Sequence, residues 1–247
     1  MHTFDRHAFT DKFRSTQNGI DFLKVTMMGP NAMRISEEMA SYLDIQNDMC
    51  VLDLGCGCGL SSLLLVQKYG VRVFAADLWI SPTENYERFK ALGIEDKAIP
   101  ISVDAAKGLP FANAYFDILF SVDAYHYFGR TTEMLPSLIP YVKKGGYIAV
   151  AIPGWQKEPE GGIPQELKPF FSEADAETFH STVWWKNLWS KTDGIETIDA
   201  QEMACCKQSW EEWLTSPNPY ATADRGIMEA ENGKYFSIIQ LIAKTSK

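Results

Sequence analysis

Short apolar runs alternate with amphipathic stretches of helical length through the middle of the chain. The runs are rich in Val, Ile, Leu and Phe and end near Gly or Asp, which predicts β-strands. They are MCVLDLG (49–55), VRVFAADL (71–78), AIPISVDA (98–105), FDILFSVDA (116–124) and YIAVAIPG (147–154). The stretches between them, at 60–70, 81–93 and 131–146, have helical spacing and glycine stops. Strands that alternate with helices predict a doubly wound α/β fold, in which a mostly parallel sheet carries helices on both faces.

Both flanks of this region also carry patterns that predict structure. Residues 1–47 predict a helical N-terminal segment, because apolar side chains recur at three- and four-residue intervals behind the break Gly29-Pro30-Asn31; these are Met33, Ile35, Met39, Tyr42 and Leu43. Residues 181–247 predict a helix at 181–194, a strand at 195–203, a short helix at 209–214 and a last strand at 235–245, with SPNPY (216–220) as a turn. These two strands complete a seven-stranded sheet.

The segment 154–180 interrupts this alternation after the fifth strand. It is rich in Pro, Gly and acidic residues, which predicts a long insertion on the ligand side of the sheet. Long loops in that position often act as lids, so we expect the segment to be mobile without ligand and ordered with it. Tryptophans around it are either packing anchors or an aromatic wall over a substrate; they are Trp155, Trp184, Trp185 and Trp189.

Composition narrows the function classes. With 247 residues, 46% of them hydrophobic and 22% charged, we expect one domain spanning 1–247. A net charge of −9 argues against a nucleic-acid groove and against docking to anionic lipid. The N-terminus has no apolar run of signal-peptide length, so we expect a cytoplasmic protein. The five cysteines suit neither a disulfide framework nor a zinc site, and we expect reduced thiols and no metal.

The glycine-rich segment VLDLGCGCGLSS (51–62) is the strongest chemical signal. Alternate glycines at 55, 57 and 59 allow a sharp turn and close approach to a ligand, although a plain strand-to-helix turn has the same pattern. Asp53 would repel a pyrophosphate, but it could neutralise an amino group directly or through water. Asp77 ends the second strand, 18 residues beyond Gly59, where a carboxylate accepts hydrogen bonds from ribose. Together they favour a nucleoside that carries an amino acid rather than a phosphate.

Four segments resemble successive motifs of class I S-adenosylmethionine-dependent methyltransferases, namely VLDLGCGCG, AADLW, SVDAAKGLPF and FDILFSVDAYHYF. The resemblance covers roughly residues 48–153 and implies the class I methyltransferase fold. The flanks GPNAMRISEEM and STVWWKNLWSKT are similar to a bacterial subgroup described as cyclopropane-synthase-like or phosphoethanolamine-methyltransferase-like. The implied cofactor is S-adenosylmethionine, which leaves as S-adenosylhomocysteine.

The same resemblance assigns roles to single residues. Asp53, Gly55, Gly57 and Gly59 would hold the methionine end and Asp77 the ribose, while Leu78 would pack on the adenine and Asp104 with Ala105 would contact its edge. Cys56, inside the glycine loop, and Ser121, near the end of the fourth strand, complete the predicted cofactor-binding set.

Catalytic candidates lie where the fourth strand ends, in SVDAYHYF (121–128). Methyl transfer needs alignment and exclusion of water, and it needs a base only if the nucleophile arrives protonated. We predict Asp123, Tyr125 and His126 as the catalytic set: His126 could accept a proton near neutral pH, and Tyr125 or Tyr127 could orient the substrate. The alternative for His126 is a helix cap or a buried polar niche.

Three functions remain open at this point. The first is methylation of oxygen, nitrogen or sulfur on a small molecule. The second is a nicotinamide-dependent oxidoreductase, although that class favours GxGxxG spacing, and here Gly59 is followed directly by Leu60. The third is a non-catalytic protein that keeps S-adenosylmethionine as a ligand.

Overall fold

A computed structural model describes residues 8–246 of the chain. Its centre is one seven-stranded sheet with the order β3-β2-β1-β4-β5-β7-β6. The strands are β1 Cys50–Leu54, β2 Arg72–Asp77, β3 Ala98–Ser102, β4 Phe116–Val122, β5 Val142–Trp155, β6 Ile195–Glu202 and β7 Phe236–Thr245. Strands β1 to β5 pair in parallel, and β7 runs antiparallel to both of its neighbours. The predicted mostly parallel, doubly wound sheet is therefore confirmed.

Helices precede the sheet and connect its strands. They are α1 Ala8–Arg14, α2 Gln17–Thr26, α3 Ala32–Ala40, α4 Leu60–Leu64, α5 Pro82–Ala91, α6 Tyr125–Phe128, α7 Met134–Leu138, α8 Glu173–Ala176, α9 Thr182–Trp189, α10 Cys206–Trp213 and α11 Pro219–Glu231. A π-helical segment, Leu65–Tyr69, continues α4, and short 3₁₀ turns follow β3 and α7. None of the helices described within residues 8–246 is both long enough and apolar enough to cross a bilayer.

The two faces of the sheet are covered by separate hydrophobic cores. Side chains alternate along a strand, so Val51 packs into one core and Leu52 into the other. The first core also takes in α3 and α4, and the second holds the fully buried rings of Trp185 and Trp189 on α9. These two tryptophans are packing anchors. The layered arrangement leaves the carboxyl ends of the parallel strands free to form a site.

Two predicted elements differ from the structure. The helix expected over 131–146 is limited to α7 and a 3₁₀ turn, and Lys143–Gly146 belong to β5. Pro140 explains the early end, because it has no backbone N–H to donate and it disfavours helical backbone at the residue before it. The turn expected at 216–220 instead opens the long helix α11, where the Asn218 side chain accepts a hydrogen bond from the Tyr220 N–H.

The insertion at 154–180 folds against the rest of the chain. Its apolar residues Ile163, Leu167 and Phe171 form a third small core with Trp155 and Phe236. The ring centroids of Trp155 and Phe236 lie 5.2 Å apart. This segment is therefore packed beside β7 and the C-terminal half of α11. Its apolar residues, spaced four apart, form this contact despite the polar composition of the segment.

Candidate functional site

A cavity of about 340 Å³ opens at the carboxyl ends of β1, β2 and β4. This volume falls within the range of roughly 300–1,000 Å³ for small-molecule sites. The site lies where the strand order reverses between β1 and β4, which is the usual ligand position in a doubly wound sheet. Five stretches supply most of its wall: Met28–Pro30, Leu54–Cys58, Ala76–Trp79, Val103–Ala106 and Val122–Ala124.

The glycine loop after β1 forms the floor of this cavity. Gly55 has φ of +77° and donates its N–H to the Ala76 carbonyl at 2.8 Å. A Cβ atom on Gly55 would lie 2.2 Å from the Cβ of Ala124, so the loop is pressed against the end of β4. Gly57 lines the cavity, whereas Gly59 lies outside its wall and contacts the Phe89 ring. The structure thus places Gly55, Cys56 and Gly57 at the ligand position and gives Gly59 a packing role.

Asp77 is fixed at the edge of the cavity by backbone N–H groups. Its Oδ2 accepts from Gly57 at 2.8 Å, and its Oδ1 accepts from Trp79 and Ile80 at 2.8 and 2.9 Å. These three N–H groups use three of the roughly four lone-pair positions of the carboxylate, so Oδ2 can still accept from a ligand hydroxyl. The structure places Asp77 at the cavity, and its role as a ribose acceptor stays a prediction.

Asp53 is completely buried behind the glycine loop and is not part of the cavity wall. The hydroxyls of Ser61 and Ser62 both donate to its Oδ2 at 2.6 Å, and Oδ1 has no partner among residues 8–246. Burial raises the pKa of Asp53 to about 6 against the effect of these hydrogen bonds. Ser61 lines the cavity, so Asp53 is connected to the cavity through its hydrogen bond from Ser61 and has no direct contact with it.

The predicted adenine contacts lie together on the next side of the cavity. Leu78 is half exposed at its rim, and Ala105 begins the 3₁₀ turn after β3. The Asp104 side chain accepts from the Ala106 N–H at 3.1 Å and pairs with Lys107 at 3.0 Å. Hydrogen bonding from Lys107 holds the pKa of Asp104 below its usual value.

Ser121 does not line the cavity. It is fully buried, and its hydroxyl donates to the Leu54 carbonyl at 2.7 Å. The predicted contact with cofactor is therefore replaced by a brace between β4 and β1. The alternation of side chains along β4 explains the difference, because Val122, one residue on, lines the cavity.

Asp123 reaches the cavity from the end of β4. It has φ of +55°, a left-handed conformation that is uncommon outside glycine and often found at functional sites. Its N–H donates to the Ala151 carbonyl at 2.8 Å, but no residue in the described part of the chain donates to its carboxylate. Burial, followed by repulsion from Asp224, raises its pKa to about 7.

Tyr125 and His126 do not line the cavity. The Tyr125 ring is fully buried against Trp185 and Trp189, at centroid distances of 5.9 and 6.0 Å. His126 is 2% exposed, and its Nδ1 has no hydrogen-bond partner within residues 8–246. Burial, followed by the nearby Arg130 charge, lowers the pKa of His126 to about 3, so the ring is neutral at physiological pH.

The helical backbone of α6 separates its side chains in this way. Successive residues of a helix point about 100° apart, so Tyr127 and Phe128 reach the cavity while Tyr125 and His126 turn into the core. Of the three predicted catalytic residues, the structure brings only Asp123 to the cavity. Tyr127, named as an alternative to Tyr125, is the tyrosine that lies there.

The chain before α3 closes the cavity, and sequence reasoning missed it. Met28, Gly29 and Pro30 line the wall together with Thr26 and Ala32. The only local signal was the Gly29-Pro30-Asn31 break. No residue of 154–180 lines this cavity, whereas Met28–Pro30 do, and the closure of 154–180 over a bound ligand stays a prediction.

Buried polar contacts hold that segment in place. The Asn31 side chain accepts from the Met33 N–H at 3.0 Å and donates to Glu212 at 2.5 Å. Arg34, which has no exposed surface, also bonds Glu212 at 2.5 Å and Asp11 at 2.6 Å. Breaking such a buried pair costs about 3–5 kcal/mol, so α3 and α10 are firmly joined beneath the segment.

Metal ligands do not cluster in this site. Over residues 8–246, no three His, Cys, Asp or Glu side chains come together in a group that could hold a metal ion.

Comparisons with known proteins find methyltransferases in both sequence and fold. Residues 51–146 match the profile of a family described as "Methyltransferase domain". The 2-methyl-6-phytyl-1,4-hydroquinone methyltransferase of Synechocystis is 33% identical over 114 residues, which is 46% of this chain and 34% of that protein. The sarcosine/dimethylglycine N-methyltransferase of Halorhodospira halochloris is 31% identical over 139 residues, 54% of this chain and 49% of that protein. The chain thus matches about half or less of the length of these relatives.

A solved structure of geranyl diphosphate methyltransferase in complex with SAM superposes with a TM-score of 0.70 at 16% identity. The superposition covers 87% of this chain and 86% of that one. At this identity the likeness concerns the fold, and it confirms the class I arrangement expected from the sequence.

Proposed function

We propose that the chain is an S-adenosylmethionine-dependent methyltransferase that acts on a small molecule. Residues 51–146 match the profile of a methyltransferase domain, and the chain has the class I fold. The observation that carries the proposal is the presence of the Gly55–Gly57 loop and the fixed Asp77 carboxylate in one cavity.

The residues present fit this cofactor. Asp77 can accept from the ribose hydroxyls, and Leu78 with Ala105 offers apolar surface to the adenine. Gly55 and Gly57 leave room for close approach of the methionine end, and the buried Asp53 stabilises a nearby ammonium group. Asp104 also lines the cavity, and we assign it to accept from the adenine amino group.

Charge argues against the nicotinamide alternative. Asp77, Asp104 and Asp123 line the cavity, and no Lys, Arg or His does so in the part of the chain that the structure describes. A pyrophosphate needs cationic or well-exposed N–H partners, whereas Asp77 already engages the N–H of Gly57. The cavity therefore suits a nucleoside joined to an amino acid better than a dinucleotide.

When bound, S-adenosylmethionine supplies a methyl group activated by its positively charged sulfur. The protein's own part is to align the nucleophile and exclude water. Water is excluded by the apolar side chains of Leu54, Val122 and Phe128 and by the segment Met28–Pro30, which covers the cavity. Asp123 is the group in the cavity that can accept a proton from the substrate, and a general base of this kind contributes roughly 10²- to 10⁴-fold in rate.

The direct test is a thermal-shift titration of the protein with S-adenosylhomocysteine and, separately, with NAD. A ligand stabilises only a protein that binds it, so the melting temperature should rise with S-adenosylhomocysteine and stay constant with NAD. The Asp77→Asn variant should lose most of the rise. Asp96→Asn, an exposed position on the loop before β3, is the matched control and should behave as wild type. A rise with NAD alone would refute the proposal.

A further inference from the structure

The three carboxylates that line the cavity differ in how many hydrogen-bond or ion-pair partners they have. Asp77 accepts three backbone N–H groups, and Asp104 is paired with Lys107. Asp123 has no donor among the described residues. Because the proposed function assigns Asp77 and Asp104 to the cofactor, Asp123 is the carboxylate left for the substrate.

The surroundings of Asp123 contain negative charge and aromatic rings. Repulsion from Asp224 disfavours the ionised form of Asp123. The charges of Asp123, Asp175 and Asp224 all disfavour ionisation of Tyr127. Burial, followed by these acids, raises the pKa of Tyr127 to about 12, so this tyrosine stays neutral. No cationic side chain offsets this acidic surrounding from within the cavity wall described here. A cation beside Asp123 would therefore be stabilised, and a phosphate or carboxylate at the same place would be repelled.

Aromatic rings at the mouth of the cavity suit the same ligand charge. Trp79 and Tyr127 line the opening, are 69% and 52% exposed, and meet edge to face with ring centroids 5.7 Å apart. Rings of this kind attract ammonium groups through cation–π contact. The carboxylate and the ring pair are independent features that favour the same chemistry.

We propose that the substrate of this cavity carries an amine, and that Asp123 binds its ammonium form and accepts one of its protons. The inference rests on the proposed methyltransferase function. Loss of the proton leaves a lone pair on nitrogen, which forms the new N–C bond as the S–C bond of the methyl donor breaks. The electron pair of the broken bond stays on sulfur, and the proton held by Asp123 leaves to solvent.

Burial helps the proton transfer. It raises the pKa of a carboxylate and lowers that of an ammonium, which brings the two groups closer to balance. Asp123 has to be ionised before the amine binds, so affinity for the amine should rise as pH increases through about 7.

The test compares probes that share a shape and differ in charge. Tyramine, tyrosol and 4-hydroxyphenylacetate form one series, and geranylamine and geranyl diphosphate form a second. Each is titrated calorimetrically at pH 8 into wild type, Asp123→Asn and Asp96→Asn, with and without S-adenosylhomocysteine. Asparagine tolerates the left-handed backbone of position 123, so the first variant is expected to fold.

We expect the amines to bind wild type at least tenfold more tightly than the alcohol or the anions. Asp123→Asn should weaken amine binding by roughly tenfold to a hundredfold, the size of a lost charge-assisted hydrogen bond, and leave tyrosol unchanged. Asp96→Asn should match wild type. Three results would overturn the proposal. Geranyl diphosphate could bind as tightly as geranylamine, the preference for amines could survive in Asp123→Asn, or neither amine could bind. Failure of S-adenosylhomocysteine to bind would instead refute the methyltransferase function, and the titrations without it report amine preference separately.

Discussion

Gly29 lies directly over the carboxylate of Asp123. A Cβ atom on Gly29 would be 2.3 Å from Asp123 Oδ2, closer than any two such atoms can approach. A side chain at position 29 would therefore have to displace the Asp123 carboxylate or the segment before α3. This contact joins two parts of the chain that are far apart in sequence, and it closes the cavity on the substrate side.

Replacing Gly29 tests this contact. Gly29→Ala should force the N-terminal segment or Asp123 to move, at a cost of about 1–3 kcal/mol in the free energy of unfolding measured with urea. We also expect weaker binding of S-adenosylhomocysteine, because Met28 and Pro30 line the same cavity. Val25→Ala, at an exposed position nearby, is the control and should leave both quantities unchanged. Wild-type stability and affinity in Gly29→Ala would show that the contact is not close in solution.

The unpartnered Asp123 should reduce stability at high pH. Its pKa is raised from 3.8 to about 7 on folding, so the folded protein binds a proton that the unfolded chain releases between these values. Stability is then lost as pH rises from about 4 to about 7. Asp123→Asn avoids this loss and should be more stable than wild type by about 1–3 kcal/mol at pH 8, with little difference at pH 4. Urea unfolding at the two pH values measures the effect, and equal gains at both would contradict it.

His126 should reduce stability at low pH. Its pKa is lowered from 6.5 to about 3 in the folded protein, so the unfolded chain binds a proton as pH falls while the folded protein does not. Wild type should therefore lose roughly 2 kcal/mol more than His126→Phe between pH 7 and pH 4.5.

His126→Phe also distinguishes a structural from a catalytic histidine. Because His126 does not line the cavity, the variant should bind S-adenosylhomocysteine normally and keep turnover within a few-fold of wild type. A general base lost at this position would instead lower turnover by roughly 10²- to 10⁴-fold. Such a loss with intact cofactor binding would restore His126 as the base.

Ligand binding should protect the segment before α3. Hydrogen exchange is expected to slow at residues 26–32 when S-adenosylhomocysteine binds, because these residues line the cavity. The insertion at 154–180 should change much less, since its apolar residues already pack in the third core. Strong protection confined to 154–180 would support the original lid prediction.

Local patterns were enough to predict the strands, and they predicted the glycine loop and Asp77 that the structure brings to one cavity. The strand β2 and its terminal Asp77 follow from a run of apolar residues that ends in a carboxylate, and the Gly55–Gly57 turn follows from glycine spacing. These signals lie within a few neighbouring residues. Backbone sterics and burial act at that range and fix the same structure wherever the pattern occurs.

The substrate side was less predictable because its geometry depends on distant contacts. Gly29 and Asp123 lie close together although they are 94 residues apart in sequence, and no local sequence pattern predicts this contact. The direction of His126 depends on the rotation of the four-residue helix α6, which is set by packing of Tyr125 on Trp185. A prediction from neighbouring residues alone cannot determine that rotation.

Transfer of a labelled methyl group is the most direct test of the account. Wild type and Asp77→Ala are incubated with S-adenosylmethionine carrying a deuterated methyl group and a panel of small amines, phenols and thiols, and products are detected by mass spectrometry. We predict labelled product and equimolar S-adenosylhomocysteine with wild type, and affinity for S-adenosylhomocysteine weaker by about 1–3 kcal/mol in Asp77→Ala through lost charge-assisted hydrogen bonds. Tight S-adenosylhomocysteine binding without transfer to any member of the panel, or transfer that Asp77→Ala leaves unchanged, would contradict it.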